Sequence, residues 1–188
     1  MIKRGDRKIF KEFVSFVKTN HNNLNQIRIK LNKLIEMEVE LNQKSYMGRT
    51  LLHIAIQLKS KKILQMFINA GVHVDLADGN GNTPLHIAIT SNRLDLVKTL
   101  IENNADINIG GEFEETPLHV AVSIGSLSMI KYLVNNGADY NLLNEHNLSP
   151  LDYAIEEENV EILKYFLDKN IDDNKIVRIK NILERKKQ

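Results

Sequence analysis

One hexapeptide recurs along this chain at a fixed interval, and that interval constrains the fold more than any other feature. Thr50-Leu51-Leu52-His53-Ile54-Ala55 returns as Thr83-Pro84-Leu85-His86-Ile87-Ala88 and as Thr116-Pro117-Leu118-His119-Val120-Ala121. A degraded fourth copy reads Ser149-Pro150-Leu151-Asp152-Tyr153-Ala154. The copies begin at 50, 83, 116 and 149, a spacing of 33 each time. A second landmark, Gly71, Asn104, Gly137 and Asn170, keeps the same beat, with its fullest copy in Asn136-Gly137-Ala138-Asp139-Tyr140-Asn141. Two landmarks in phase over four copies specify a stack of identical small units, each burying its apolar face only against its neighbours.

The residues say what one unit is. Thr83 suits a helix N-cap, and Pro84 suits the first helical position, where its missing N–H costs nothing. Thr50, Thr116 and Pro117 repeat the arrangement, and the small Ala of the motif lets helices approach closely. A second helix follows, with in-phase apolar pairs Ile63/Leu64, Leu96/Val97, Met129/Ile130 and Ile162/Leu163. Gly71 and Gly137 are placed to end that helix in the left-handed conformation, with Asn104 and Asn170 as the next most tolerant residue.

This pattern resembles the ankyrin repeat over about residues 43 to 174. The resemblance implies an all-α solenoid of helix-turn-helix repeats with β-turn fingers. The expected divisions are a divergent N-terminal helical capping repeat (1–45), repeats at 46–78, 79–111, 112–144 and 145–174, and a C-terminal capping helix with a basic tail (175–188). The capping repeat is expected to have a lengthened second helix, from Leu24 to Ile35, after a first marked by Ile9, Phe10, Phe13, Val14, Phe16 and Val17. The terminal helix is marked by Ile176, Ile179, Ile182 and Leu183. The third finger, Gly110-Gly111-Glu112-Phe113-Glu114-Glu115, is expected to be irregular, because Glu114 stands where Gly48 and Gly81 stand.

Composition removes several classes of chemistry. With no Cys there is no disulfide framework, thiolate zinc site or cysteine nucleophile. No apolar run approaches the roughly 20 residues of a membrane span, and no secretory-type apolar stretch follows Met1, so a cytoplasmic chain is expected. His53, His86 and His119 sit at the motif position, where an imidazole can hydrogen-bond the adjacent turn. They lack metal-ligand spacing. His21, His73 and His146 lie near turns without evident partners. Asp78-Gly79-Asn80-Gly81 lacks the alternating ligands and closing Glu of a calcium loop. No nucleophile–base–orienter set stands out, so neither catalysis, nor a cofactor, nor a metal, nor a small-molecule substrate is expected.

What remains is recognition. In ankyrin-like stacks the finger tips and the exposed side of the first helix form a concave binding face. Phase places Tyr46, Met47, Arg49, Leu58, Asn80, Glu112, Phe113, Glu115, Ile124, Glu145, His146, Leu148 and Glu156 there. Several are apolar where folding does not need them. Net charge is +1, but residues 1–45 carry 10 Lys/Arg against 5 Asp/Glu, while residues 46–170 carry 9 against 16. The acidic rim favours a protein partner with a basic patch, bound by a monomer. The basic ends, Lys3-Arg4-Arg7-Lys8 and Arg185-Lys186-Lys187, read as solvated terminal charge; a nucleic-acid or nuclear adaptor is the alternative. Asn (22), Ile (22) and Lys (18) are the bias of AT-rich genomes. This bias suggests a host-directed effector of a pathogen, delivered to host cytoplasm or nucleus. Its sharper form is a mimic of the inhibitor of NF-kappa-B.

Overall fold

A computed structural model describes residues 4–169 and 171–187, so Met1, Ile2, Lys3, Asn170 and Gln188 lie outside the described residues. Within them are eleven α-helices and no β-strand: an all-α repeat solenoid. None of the helices is long and apolar enough to cross a membrane. The chain forms two compact units, Met1–Asp106 and Ile107–Gln188.

The first unit holds α1 (Arg4–Thr19), α2 (Leu24–Glu36), α3 (Leu51–Gln57), α4 (Lys61–Asn69), α5 (Pro84–Thr90) and α6 (Leu94–Glu102). Helices α1, α3 and α5 pack in sequence as one layer, and α2, α4 and α6 as a second. A seven-residue helix such as α3 is too short to persist alone. It holds here because Leu51, Leu52, Ile54, Ala55 and Ile56 are all fully buried. Helix α4 is amphipathic and contributes Ile63, Leu64 and Phe67 to the core. In the N-terminal helix pair, α1 and α2, both helices are lengthened, to 16 and 13 residues, whereas the sequence pointed only to the second. The long α1 adds Phe10, Phe13, Val14 and Val17 to the core, with Phe13 edge-on to Phe67 (6.1 Å).

The second unit holds α7 (Pro117–Ser123), α8 (Leu127–Asn135), α9 (Pro150–Glu156), α10 (Val160–Leu167) and α11 (Asp173–Arg185). Helix α7 packs on α8 and α9, α9 on α10, and α10 on α11. Ile179 of α11 is buried against the stack, and Ile176, Ile182 and Leu183 are half-buried. The basic tail is not merely solvated. Arg185 pairs with Glu158 Oε1, and Lys186 Nζ lies 3.1 Å from Glu158 Oε2.

Three series of left-handed residues punctuate the repeats. The first series closes the fingers at Gly48, Gly81, Glu114 and Asn147 (φ 71°, 89°, 56° and 59°). A second turns between the helices at Lys59, Asn92, Gly125 and Glu158 (φ 52°, 49°, 74° and 50°). The third ends the second helix at Glu38, Gly71, Asn104 and Gly137 (φ 55°, 83°, 65° and 97°). Each unit is also tied by an Asx ladder. Asn42 Oδ1 accepts the His73 N–H (2.8 Å), Asp75 Oδ1 that of Asp106 (3.1 Å), and Asn108 Oδ1 that of Asp139 (2.9 Å).

Candidate interaction surface

Four fingers precede the four motif helices, and all four close with the same pair of backbone hydrogen bonds. The wider bond runs from Ser45 N–H to Arg49 O (2.7 Å), Asp78 to Asn82 (2.8 Å), Gly111 to Glu115 (2.8 Å) and Asn144 to Leu148 (3.0 Å). Inside it lie Gly48 to Ser45 O, Gly81 to Asp78 O, Glu114 to Gly111 O and Asn147 to Asn144 O. The third finger is therefore regular, against the expectation from Glu114. Its glycines have moved to the start of the turn. A Cβ at Gly110 would sit 3.1 Å from Glu114 Cα, so Gly110 leaves the space over which the loop closes.

Two ways of making the tip alternate. In the second and fourth fingers Asp78 Oδ1 and Asn144 Oδ1 each accept two backbone N–H groups, those of Asn80 and Asn82 and those of His146 and Leu148. The first and third carry Ser45 and Gly111 there, which make no such turn. Their next-but-one residues, Met47 and Phe113, adopt left-handed φ of 61° and 58°. That aims their carbonyls at the following finger within each unit: Gly79 N–H donates to Met47 O (2.8 Å) and Glu145 N–H to Phe113 O (3.0 Å).

The result is a fixed presentation of apolar side chains. In the first unit Tyr46 is 89% exposed and Met47 53%, beside exposed Asn80 and half-buried Arg49 and Leu58. In the second, Phe113 is 53% exposed and its ring stacks on His146 (6.2 Å between centroids). His146 Nε2 lies 3.6 Å from Glu145 Oε1, so this histidine does have partners. Exposed Glu112, Ile124 and Glu156 lie in the same unit, where neither finger contains a Lys or Arg. Leu148 is half-buried, and its carbonyl accepts from His119 Nε2 (2.9 Å). Glu115 is held inward: its Oε1 accepts the Tyr153 hydroxyl (2.6 Å), which in turn accepts from Asn144 Nδ2 (2.9 Å). Burial and the Glu115 carboxylate push the Tyr153 phenol up to about 12. Leu143, 54% exposed, was missed by the sequence reading; its in-phase equivalents Lys44, Ala77 and Gly110 mark it as a surface position.

Two of the motif histidines, His53 and His119, connect a helix start to the following finger. His53 Nδ1 accepts from Thr50 N–H (3.2 Å) and lies 2.9 Å from Thr50 Oγ1, which leaves Nε2–H to donate to Asn82 O (3.0 Å). His119 repeats this with Thr116 and Leu148. Within the next copy, His86 Nδ1 accepts from Thr83 N–H (3.2 Å). Burial lowers the pKa of both His53 and His119. These rings are structural, and among the described residues no group of three or more His, Asp or Glu side chains is placed to hold a metal ion.

Comparison with the curated proteins finds no match. A family model described as ankyrin repeats in three copies matches residues 2–111, and one described as ankyrin repeats in many copies matches residues 100–154. The first match runs through α1 and α2, and Glu38 after them turns at the same phase as Gly71. With the repeat period, the histidine-bridged helix starts and the paired fingers, these matches establish that the chain belongs to the ankyrin repeat family.

Proposed function

We propose that this chain is a non-enzymatic, monomeric binding module that docks a protein partner through its finger tips and the exposed side of its first helices. Ankyrin repeats are in general protein–protein interaction modules, and the family is generally non-enzymatic. The observation that carries the reading is Phe113. Its backbone is tied to the next finger, yet its ring stands half out of the protein against His146. An aromatic ring held out on a rigid backbone binds at low cost in conformational entropy. Glu112, Glu145 and Glu156 around it favour a partner with a basic patch, which they would steer rather than anchor. A host-directed role rests on the Asn, Ile and Lys bias of the composition.

Affinity capture from host lysate tests this with the wild-type chain beside Tyr46→Ala/Phe113→Ala/Ile124→Ala. A protein retained by the first and lost by the second, at equal melting temperatures, supports the surface and names the partner. Equal retention by both overturns it.

A further inference from the structure

A small basic cavity lies beside the first finger, where α1 meets the segment leading into Tyr46. It encloses about 300 Å³ and is lined by Arg7, Lys11 and Lys44, with Phe10 at its base, Tyr46 at its rim and Gln43 in its wall. The wall is fixed: Gln43 is buried, and its Nε2 donates to Glu40 O (2.8 Å).

The three cations are not explained by folding. Arg7 and Lys11 stand four apart on α1, where like charges repel. The described positions three and four residues away on α1 hold Arg4, Lys8, Phe10, Val14 and Ser15, and none is a carboxylate. Lys44 adds a third positive charge from a different segment, lining the same hollow as Arg7 and Lys11. An arrangement that costs the helix stability and converges on a hollow is one that an anion would relieve.

We infer that the Arg7–Lys11–Lys44 cavity receives an acidic segment of a partner protein, two or three Asp or Glu residues in succession, packed against the Tyr46 ring. A single carboxylate would leave most of the charge uncompensated. A nucleic acid fits poorly. The cavity offers one exposed aromatic ring, too few for successive bases to stack on. Residues 46–170, moreover, are net acidic and would repel a long polyanion.

The test is an NMR titration of the isotope-labelled full chain with hexaglutamate, and with hexaglutamine, inorganic phosphate and a short DNA duplex as comparisons. Hexaglutamate is expected to move the amides of Arg7, Lys11 and the 43–46 segment first, and hexaglutamine none of them. Arg7→Gln/Lys11→Gln is expected to weaken hexaglutamate binding about tenfold with the melting temperature unchanged or raised. Lys44→Gln weakens it from the opposite wall, while Lys8→Gln, an equal loss of charge outside the cavity, leaves it unchanged. Shifts spread over every basic residue, an equal effect of Lys8→Gln, or displacement of hexaglutamate by phosphate or by the duplex would each overturn the assignment. These variants retain Tyr46, Phe113 and Ile124, so their failure leaves the finger surface standing.

Discussion

Lys175 of α11 donates from Nζ to Asp152 Oδ2 at 2.9 Å, and Asp152 occupies the place held by histidine in the three preceding repeats. In two of these, His53 and His119, the second ring nitrogen reaches onward to the next finger. At Asp152 helix α11 supplies an ammonium instead, which also reaches Ser149 Oγ (2.9 Å). The carboxylate still accepts the Ser149 N–H (2.9 Å), so one substitution preserves the helix start and redirects its outward bond to α11.

Removing the ammonium should therefore loosen the end of the stack. Lys175→Met is expected to lower stability by about 1–2 kcal/mol, since the bond is charge-assisted and only partly exposed, with hydrogen exchange rising first in α10 and α11. Asp152→His should fail to compensate, because Lys175 offers a second cation where the ring needs an acceptor. A neutral outcome for both, by denaturant melts, would show that α11 docks through Ile179 and its apolar neighbours alone.

The histidine bridge has a definite sign with pH. The pKa of His53 and His119 is lowered in the fold, chiefly by burial, and Nδ1 is already committed to a threonine N–H. Their contribution is present above the unfolded value of about 6.5 and is lost as pH falls through the folded values. Melting temperature should drop between neutral and mildly acid pH. His53→Gln/His119→Gln keeps an acceptor for the capping box and removes the titration. That variant should show a flatter profile; an unchanged slope would place the acid sensitivity elsewhere.

The repeat phase, the helix starts and the second-helix ends were legible because each needs particular residue types. Proline suits only the first turn, and the buried start needs a side chain that accepts the N–H of the capping threonine or serine. Lys59, Asn92, Gly125 and Glu158 were not legible. Their left-handed turn is held by main-chain bonds such as Ser60 N–H to Ala55 O (3.2 Å), which leave the side chain unspecified. Lys175 and Asp152 meet across 23 residues with no periodic signal, so only the fold reveals them. Of the finger surface, phase located Tyr46, Met47 and Phe113 as exposed. It also grouped Glu115 with them, because it does not register the Tyr153 hydroxyl that turns that carboxylate inward.

The Asx ladder carries one strained rung. Asp75 stands where Asn42, Asn108 and Asn141 stand, half-buried and next to Asp106, and burial together with that second carboxylate raises its pKa. The ionised form is thus disfavoured in the fold, so the position stabilises least once pH rises above the ordinary carboxylate range. Asp75→Asn retains the oxygen that accepts the Asp106 N–H and removes the charge. It should raise stability at neutral pH by up to about 1 kcal/mol, with the gain shrinking on acidification. A loss at neutral pH would mean that the charge strengthens the bond more than burial weakens it.

The fingers yield the sharpest contrast between equivalent positions. Gly48 and Glu114 both close their turns with positive φ, 71° and 56°, but only Gly48 lies tight against the next finger. A Cβ there would come within 2.8 Å of Gly79 Cα and 2.9 Å of Asp78 C, backbone atoms that cannot yield without breaking the Gly79 to Met47 bond. Gly48→Ala should cost about 2 kcal/mol or more and weaken partner capture through Tyr46 and Met47. Glu114→Gly should instead stabilise by about 0.5–1 kcal/mol, because glycine relieves the left-handed strain of a residue with a Cβ and loses some of that gain to its own chain entropy. Opposite signs from thermal melts of the two variants are the expected result. Destabilisation by Glu114→Gly would mean that the glutamate side chain itself holds the third finger closed.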